Sequence, residues 1–268
     1  MRTPSIAAGV ALAMLLAACA SVPRRPPEPA STLPPPATVP DAVPRAEARS
    51  THGNPPFYNV NGRRYAVLTS ADSYLERGVA SWYGPDFHGH NTSSGERYDM
   101  YGMTAAHPTL PIPCYARITN LSNGRSVVVR INDRGPFVAN RIVDLSYSAA
   151  ARLDIVRTGT AFVELRTVGP GEAPLEATPA VAAAPVVATA PVALYIQVGA
   201  FADLGNAQRV IDRLQSSGVA HVFSLTSSGS GRVLCRVRIG PLATVEEFDQ
   251  LAARLAALGY PEARLAND

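Results

Sequence analysis

The chain has 268 residues, 24 basic against 21 acidic side chains, a net charge of +3 and 47% apolar residues. That length admits two small domains. So slight a positive charge, with no basic stripe, excludes a nucleic-acid binder.

The N-terminus carries one early arginine, Arg2, then an apolar run from Ile6 to Leu16, and ends in Leu16-Ala17-Ala18-Cys19. The run is too short to span a bilayer and closes on small residues, so residues 1–18 are expected to be an export signal. A cysteine directly after the small pair resembles a bacterial lipobox, which implies that Cys19 becomes the acylated first residue of the mature protein. Several acyl chains on one cysteine anchor a protein stably. Ala20 stands where an aspartate would signal inner-membrane retention, so an outer-membrane lipoprotein facing the periplasm is expected. Residues 20–55 hold a proline-dense stretch from Pro23 to Pro44 without apolar periodicity and are expected to form an extended, disordered tether. Val60 to Leu75 is expected to supply a strand packed on the side of the first domain.

The most informative block runs from Ala80-Ser81-Trp82-Tyr83-Gly84, through Gly95-Glu96-Arg97-Tyr98-Asp99 and Thr104-Ala105-Ala106-His107-Pro108, to Asn132-Asp133-Arg134-Gly135-Pro136. Val127-Val128-Val129-Arg130-Ile131 is a β-branched run that predicts a buried strand, with Asp133 where that strand meets a Gly-Pro turn. A carboxyl at a strand end is held by the sheet and faces a cleft, as a general acid must. Glu96 and Asp99 flank Tyr98 in a glycine-rich loop, and His107 precedes a proline that restrains its backbone. These three are candidates for orienting a sugar or tuning the acid. Asp133 also has a plainer reading as a turn aspartate that caps backbone amides. His88-Gly89-His90 lacks the accompanying ligands of a metal site, so no metal and no cofactor is assigned.

These motifs, in this order and spacing, resemble the double-psi β-barrel domain of the rare lipoprotein A family of septal-ring lytic transglycosylases, over residues 76–168. The resemblance implies a six-stranded barrel and places Asp133, Glu96, Asp99 and His107 on the family's acidic cluster and active-site histidine. Trp82, Tyr83 and Arg134 are assigned to substrate binding. Barrel membership alone does not establish cutting, because expansin-like versions bind glycan without cleaving it. Every basic residue is arginine, which suits the lactyl carboxylates of muramic acid, although genomic base composition is the commoner cause.

Residues 169–191 read as a disordered alanine-proline linker. Beyond it, Leu194 to Gly199 alternates as a half-buried strand. A helix runs from Asp203 to about Ser217, with Asp203 as cap and Gly218 as stop. Two strands come next, then a helix opened by the capping box of Thr244 and Glu247, then a short strand near Leu265. This β-α-β-β-α-β order is ferredoxin-like, so the fold class is mainly β with an α+β second domain. Tyr195-Ile196-Gln197-Val198-Gly199-Ala200-Phe201 and Val237-Arg238-Ile239-Gly240-Pro241 resemble a SPOR domain, over residues 192–268. That resemblance implies binding of peptide-stripped glycan through Gln197 and Arg236. Leu234 and Ala200 depart from the aromatic and serine common there. Cys114 and Cys235 fall in different domains, so no structural disulfide is expected.

Together these features predict a lipid-anchored, endolytic lytic transglycosylase. It would cut the β-1,4 bond between N-acetylmuramic acid and N-acetylglucosamine of peptide-free strands at the septum and leave a 1,6-anhydro end. Asp133 would act as acid and then base, with Glu96 or Asp99 tuning it by like-charge coupling. One rival is a hydrolase using Glu96 and Asp133 with water; another is a non-catalytic glycan-binding septal lipoprotein. Membrane contact is through the lipid alone, and no divisome or amidase partner is legible.

Overall fold

The computed structural model describes residues 38–172, 193–229 and 232–266. Cys19, the export signal and most of the linker lie outside the described residues.

A hairpin of β1 (Phe57–Val60) and β2 (Arg63–Ala66) opens the described elements, turned by Asn61 and Gly62, both at positive φ. An Asn-Gly pair gives the turn whose twist matches that of its flanking strands. The expected single strand is therefore two. Tyr58 stacks on Tyr65, Phe137 meets both rings edge-on, and the Tyr58 hydroxyl donates to the Pro108 carbonyl at 2.6 Å. The hairpin thus braces the residue after His107.

Six strands then close into a barrel: β3 (Leu75–Trp82), β4 (Thr104–Ala106), β5 (Cys114–Asn120), β6 (Ser126–Asp133), β7 (Arg141–Leu145) and β8 (Ala161–Thr167), in the order β3-β7-β4-β6-β5-β8. The β3–β7 and β4–β6 pairs are parallel and the others antiparallel. Alternation sends Ala80, Ala105, Val129, Ile131, Val143, Leu145 and Leu165 into one buried core. A short helix α1 (Tyr147–Arg152), capped by the Ser146 side chain on the Ala149 amide, adds Ala149 and Ala150 to that core. Asp133 is the last residue of β6, so the sheet holds its backbone on one side only.

The tether expected over residues 20–55 is not free throughout, because residues 38–55 run along the barrel. Ala42 donates to Val128 O at 3.0 Å, Ser50 to Ile112 O at 3.0 Å, and Arg152 pairs with Asp41 at 2.5 Å. Glu47 accepts from Arg130 at 2.8 and 3.0 Å and also from the Tyr115 hydroxyl. These are specific polar contacts, which a search for apolar periodicity passes over.

The C-terminal domain contains β9 (Leu194–Phe201), α2 (Leu204–Ser216), β10 (Val222–Gly229), β11 (Arg232–Leu242), α3 (Val245–Ala257) and β12 (Arg264–Leu265). They form one antiparallel sheet in the order β10-β11-β9-β12. Leu194, Ile196, Val237 and Ile239 meet Ile211 and Leu214 of α2 and Phe248 and Leu255 of α3 in a second core. Asp203 caps α2 through the Asn206 amide; Thr244 caps α3 through the Glu247 amide, while Glu247 reaches back to the Ala243 amide. Phe248 meets Phe162 of β8 edge-on, and Arg141 of β7 holds Asp249 through two bonds at 2.7 and 2.9 Å. Cys114 and Cys235 are free thiols, and burial pushes Cys114 up to about 12.

Candidate active site

Asp133 is half-buried, and its carboxyl is held from one side. Oδ1 accepts from the Ser93 amide at 2.8 Å, the Ser93 hydroxyl at 2.6 Å and its neighbour's Arg134 amide at 2.7 Å. Oδ2 faces the Tyr83 hydroxyl at 3.4 Å. Three donors on one oxygen fix the plane of the group and leave the second oxygen for a weaker, replaceable contact. Ser93 is placed by a tight turn in which Gly95, at φ +90°, donates to Thr92 O at 2.9 Å. A side chain at Gly53 would come within 2.6 Å of the Ser93 carbonyl, so the N-terminal segment lies directly against this turn.

Glu96 stands in a different environment from Asp133. Arg130 grips it at 2.7 and 2.9 Å, and the Asn132 amide adds a bond at 2.9 Å. The Arg130 hydrogen bond holds Glu96 below the usual carboxylate range, so it is kept as an anion. A carboxylate already engaged by an arginine fork is a poor proton donor and a poor tuner of Asp133 by repulsion. Asp99 is exposed; it accepts from the Tyr101 amide at 3.0 Å and lies 3.8 Å from His88. Its structural part is to cap its own loop.

Arg130 also holds Glu47, whose pKa is lowered from 4.5 to about 2 chiefly by that bond. A depressed carboxyl contributes stability that is complete above about pH 4.5 and is lost as pH falls through about 2. Glu47→Gln is therefore expected to cost ~2 kcal/mol at pH 7 and to flatten the acid limb of stability against pH. Urea unfolding at pH 7 and pH 3 measures both.

His107 is fully buried and turned away from Asp133. Its Nδ1 accepts from the Leu110 amide at 3.0 Å and the Thr109 amide at 3.2 Å, so the proton of the neutral ring is on Nε2. Nε2 faces Glu76 Oε2 at 3.6 Å and the Tyr74 hydroxyl at 3.5 Å. Burial depresses the ring's basicity more than Glu76 restores it, which keeps it neutral. Burial works to raise Glu76, but the bonds from His107 and Tyr74 outweigh it and leave it lowered. A cavity of about 270 Å³ opens on this side, with Tyr74, Glu76 and His107 in its wall and Arg264 opposite. Two polar clusters thus lie back to back, joined where the His107 amide donates to Asp133 O at 3.1 Å. His107→Ala is expected to destabilise the barrel by ~2–4 kcal/mol by orphaning two buried amides and leaving a void. His107→Asn, which can offer an oxygen to those amides, is expected to recover most of that loss in thermal unfolding and most of the activity.

Arg134, expected from the sequence to bind substrate, has a different placement. It is buried, and its guanidinium donates to Gly53 O at 2.8 Å, His107 O at 3.1 Å, Asn54 Oδ1 at 3.0 Å and Leu110 O. With four of its five N–H donors on internal acceptors, it ties the N-terminal segment to the turn after β4. Tyr83 packs between Phe87 and Tyr98 beside Asp133, and Trp82 leans on Tyr147. In the second domain, Arg236 donates to Gln197 Oε1 at 3.3 Å on the sheet.

Residues 75–165 match the family model described as lytic transglycolase, and residues 190–264 match the SPOR domain. The chain is 37% identical over 83% of its length to the endolytic peptidoglycan transglycosylase RlpA of Pseudomonas aeruginosa, covering 80% of that protein. It is 39% identical to the protein of that name from Neisseria meningitidis serogroup B, over 80% of this chain and 84% of the relative. The chain belongs to the RlpA family. A crystal structure of the RlpA SPOR domain from Pseudomonas aeruginosa is also similar, at 30% identity over 28% of this chain and 99% of that one, with a TM-score of 0.26.

In this RlpA-family chain one residue beside Asp133 has no place in the sequence motifs. Asp144 of β7 is half-buried, and the Ser81 hydroxyl donates to its Oδ1. Burial raises it above the usual aspartate range; Ser81 and Arg141 pull the other way, and Asp133 adds to the rise. The signal for it was a lone carboxyl between Val143 and Leu145 in an apolar strand.

Proposed function

We propose that the chain is an endolytic lytic transglycosylase that cuts the muramyl-glucosaminyl β-1,4 bond of peptide-free glycan. Membership of the RlpA family and the match to the lytic transglycolase model support the reaction class. The observation that carries the residue assignment is the Asp133 carboxyl, with Oδ1 fixed by Ser93 and the Arg134 amide and Oδ2 left, among the described residues, to one long contact with Tyr83.

In this reading Asp133 gives a proton to the glycosidic oxygen as its bond to the muramyl anomeric carbon breaks. The same carboxyl then accepts the proton of the muramyl C6 hydroxyl, whose oxygen closes on that anomeric carbon. The product is a 1,6-anhydro ring. Because the nucleophile belongs to the substrate, no second base is needed to activate water. The Arg130 grip on Glu96 supports this reading over a hydrolase pair of Glu96 and Asp133, since a carboxylate with a lowered pKa whose two oxygens already accept from Arg130 and Asn132 is a weak base for activating water.

The C-terminal SPOR domain would hold peptide-free strands through the face carrying Gln197 and Arg236, and so concentrate the enzyme at the septum. Lipidation of Cys19 would anchor the chain to the outer membrane, facing the periplasm. Incubation of the purified protein with intact and peptide-stripped peptidoglycan, with mass spectrometry of the products, tests the substrate. Anhydro-ended fragments from stripped strands alone are expected; equal release from intact material would remove the peptide-free specificity.

A further inference from the structure

The turn that holds Asp133 is itself held from outside by the N-terminal segment, residues 38–55. Ser93 gives Asp133 Oδ1 its amide and its hydroxyl from a turn closed where Gly95 donates to Thr92 O at 2.9 Å and Thr92 donates to Glu96 O at 2.7 Å. The other side of that turn lies on the segment. The Ser50 hydroxyl donates to Ser94 O at 3.3 Å, accepts from the His52 amide at 3.1 Å, and so is fixed in direction. A Cβ at Gly53, where φ is +74°, would stand 2.6 Å from Ser93 O. At the far end of the turn, Arg130 joins Glu96 at 2.7 Å to Glu47 of the segment at 2.8 Å.

Around Gly53 the segment is fastened to the barrel and cannot recede from this contact. Ser50 N and Asn54 Nδ2 donate to Ile112 O at 3.0 and 2.6 Å, the Ile112 amide donates to Asn54 Oδ1 at 2.9 Å, and Arg134 Nε donates to Gly53 O at 2.8 Å. The backing is therefore stiff. We propose that Gly53 and Ser50 are positioning residues for the cleavage: they back the Ser93–Ser94 turn, so that Ser93 presents both its donors to Asp133 in one fixed place. Glycine is needed at 53 on two counts, the left-handed backbone and the lack of room for a methyl group. On this assignment the working catalytic unit includes the 38–55 segment, which precedes β1.

This inference rests on the transglycosylase reading of Asp133, so its test joins a measurement of turnover to one that needs none. In the full chain carrying Gly53→Ala, the methyl and the Ser93 carbonyl must separate by about 1 Å to reach ordinary contact, and a misplacement of that size can cost about 10²-fold in rate. A fall in kcat of that order on peptide-stripped strands is expected, with KM little changed. Asp41→Ala, which loosens the segment at Arg152 and touches neither the turn nor Asp133, is expected to keep the parent kcat whatever it costs in thermal midpoint. Amide hydrogen exchange by NMR on the same proteins is expected to quicken at Ser93 and Arg134, both bonded to Asp133 Oδ1, in Gly53→Ala and not in Asp41→Ala.

Parent-like kcat or parent-like protection of those two amides in Gly53→Ala would overturn the proposal, as would an equal loss of kcat in Asp41→Ala. A parent chain that forms no anhydro ends would count against the transglycosylase reading instead, and the exchange measurement would then decide the positioning role by itself. Should Gly53→Ala not fold, Ser50→Ala decides. A several-fold fall in kcat at constant KM, restored by Ser50→Thr, supports the proposal; an unchanged kcat, or one that Ser50→Thr fails to restore, overturns it.

Discussion

Asp133→Asn is expected to reduce release of anhydro-ended fragments by about 10²–10⁴-fold, the range that general acid-base catalysis supplies. Asparagine keeps an oxygen for Ser93 and the Arg134 amide, so the turn after β6 and the thermal midpoint should stay close to those of the parent chain. What disappears is a group that can give up a proton and take one back. Because the one carboxyl serves both steps, kcat should fall while binding of stripped strands by the C-terminal domain is unchanged. Undiminished cleavage by this variant would remove Asp133 from the mechanism.

The second large effect is on stability. Arg134→Ala is expected to cost on the order of 3–5 kcal/mol in denaturant unfolding, because several buried acceptors lose a charged donor together and each left unsatisfied costs about 1–3 kcal/mol. Four acceptors, Gly53 O, Asn54 Oδ1, His107 O and Leu110 O, would lose their donor at once. Arg134→Lys should rescue little, because an ammonium cannot span the positions that the planar fork reaches. Release of the 38–55 segment should accompany the loss, read as new proteolytic cleavage near Gly53. A variant within about 1 kcal/mol of the parent chain would mean that the clamp is a minor contributor.

The parts legible in the sequence were those with a period or a cap. The apolar run at Val127 predicted β6 with Asp133 at its end, and Asp203, Thr244 and Glu247 marked the starts of α2 and α3. Glu96 and Arg130 are 34 residues apart, and nothing local announces their pairing, so Glu96 read as a tuner of Asp133 or its partner in a hydrolase when it is a bound anion. Arg134 stands beside Asp133 in sequence but turns inward, because the turn after β6 sends neighbouring side chains to opposite sides. His107 lies one residue beyond Ala106, which pairs with Asp133, and it faces Glu76 and Tyr74 instead. The segment 38–55 read as tether because proline-rich, non-periodic chain has no core of its own; it docks through Glu47, Gly53 and Asn54. Asp144 was visible only as a carboxyl out of place in an apolar strand, and its partner Ser81 lies 63 residues away on β3.

The presence of Asp144 beside Asp133 sharpens the choice between attack by the substrate's own hydroxyl and attack by water, since two carboxyls are also what a hydrolase uses. Digestion of peptide-stripped strands in 18O-enriched water, with mass spectrometry of the new muramyl ends, separates the two most directly. Intramolecular attack predicts anhydro ends, one water lighter than reducing ends and free of 18O. New reducing ends carrying 18O at the anomeric position would contradict it.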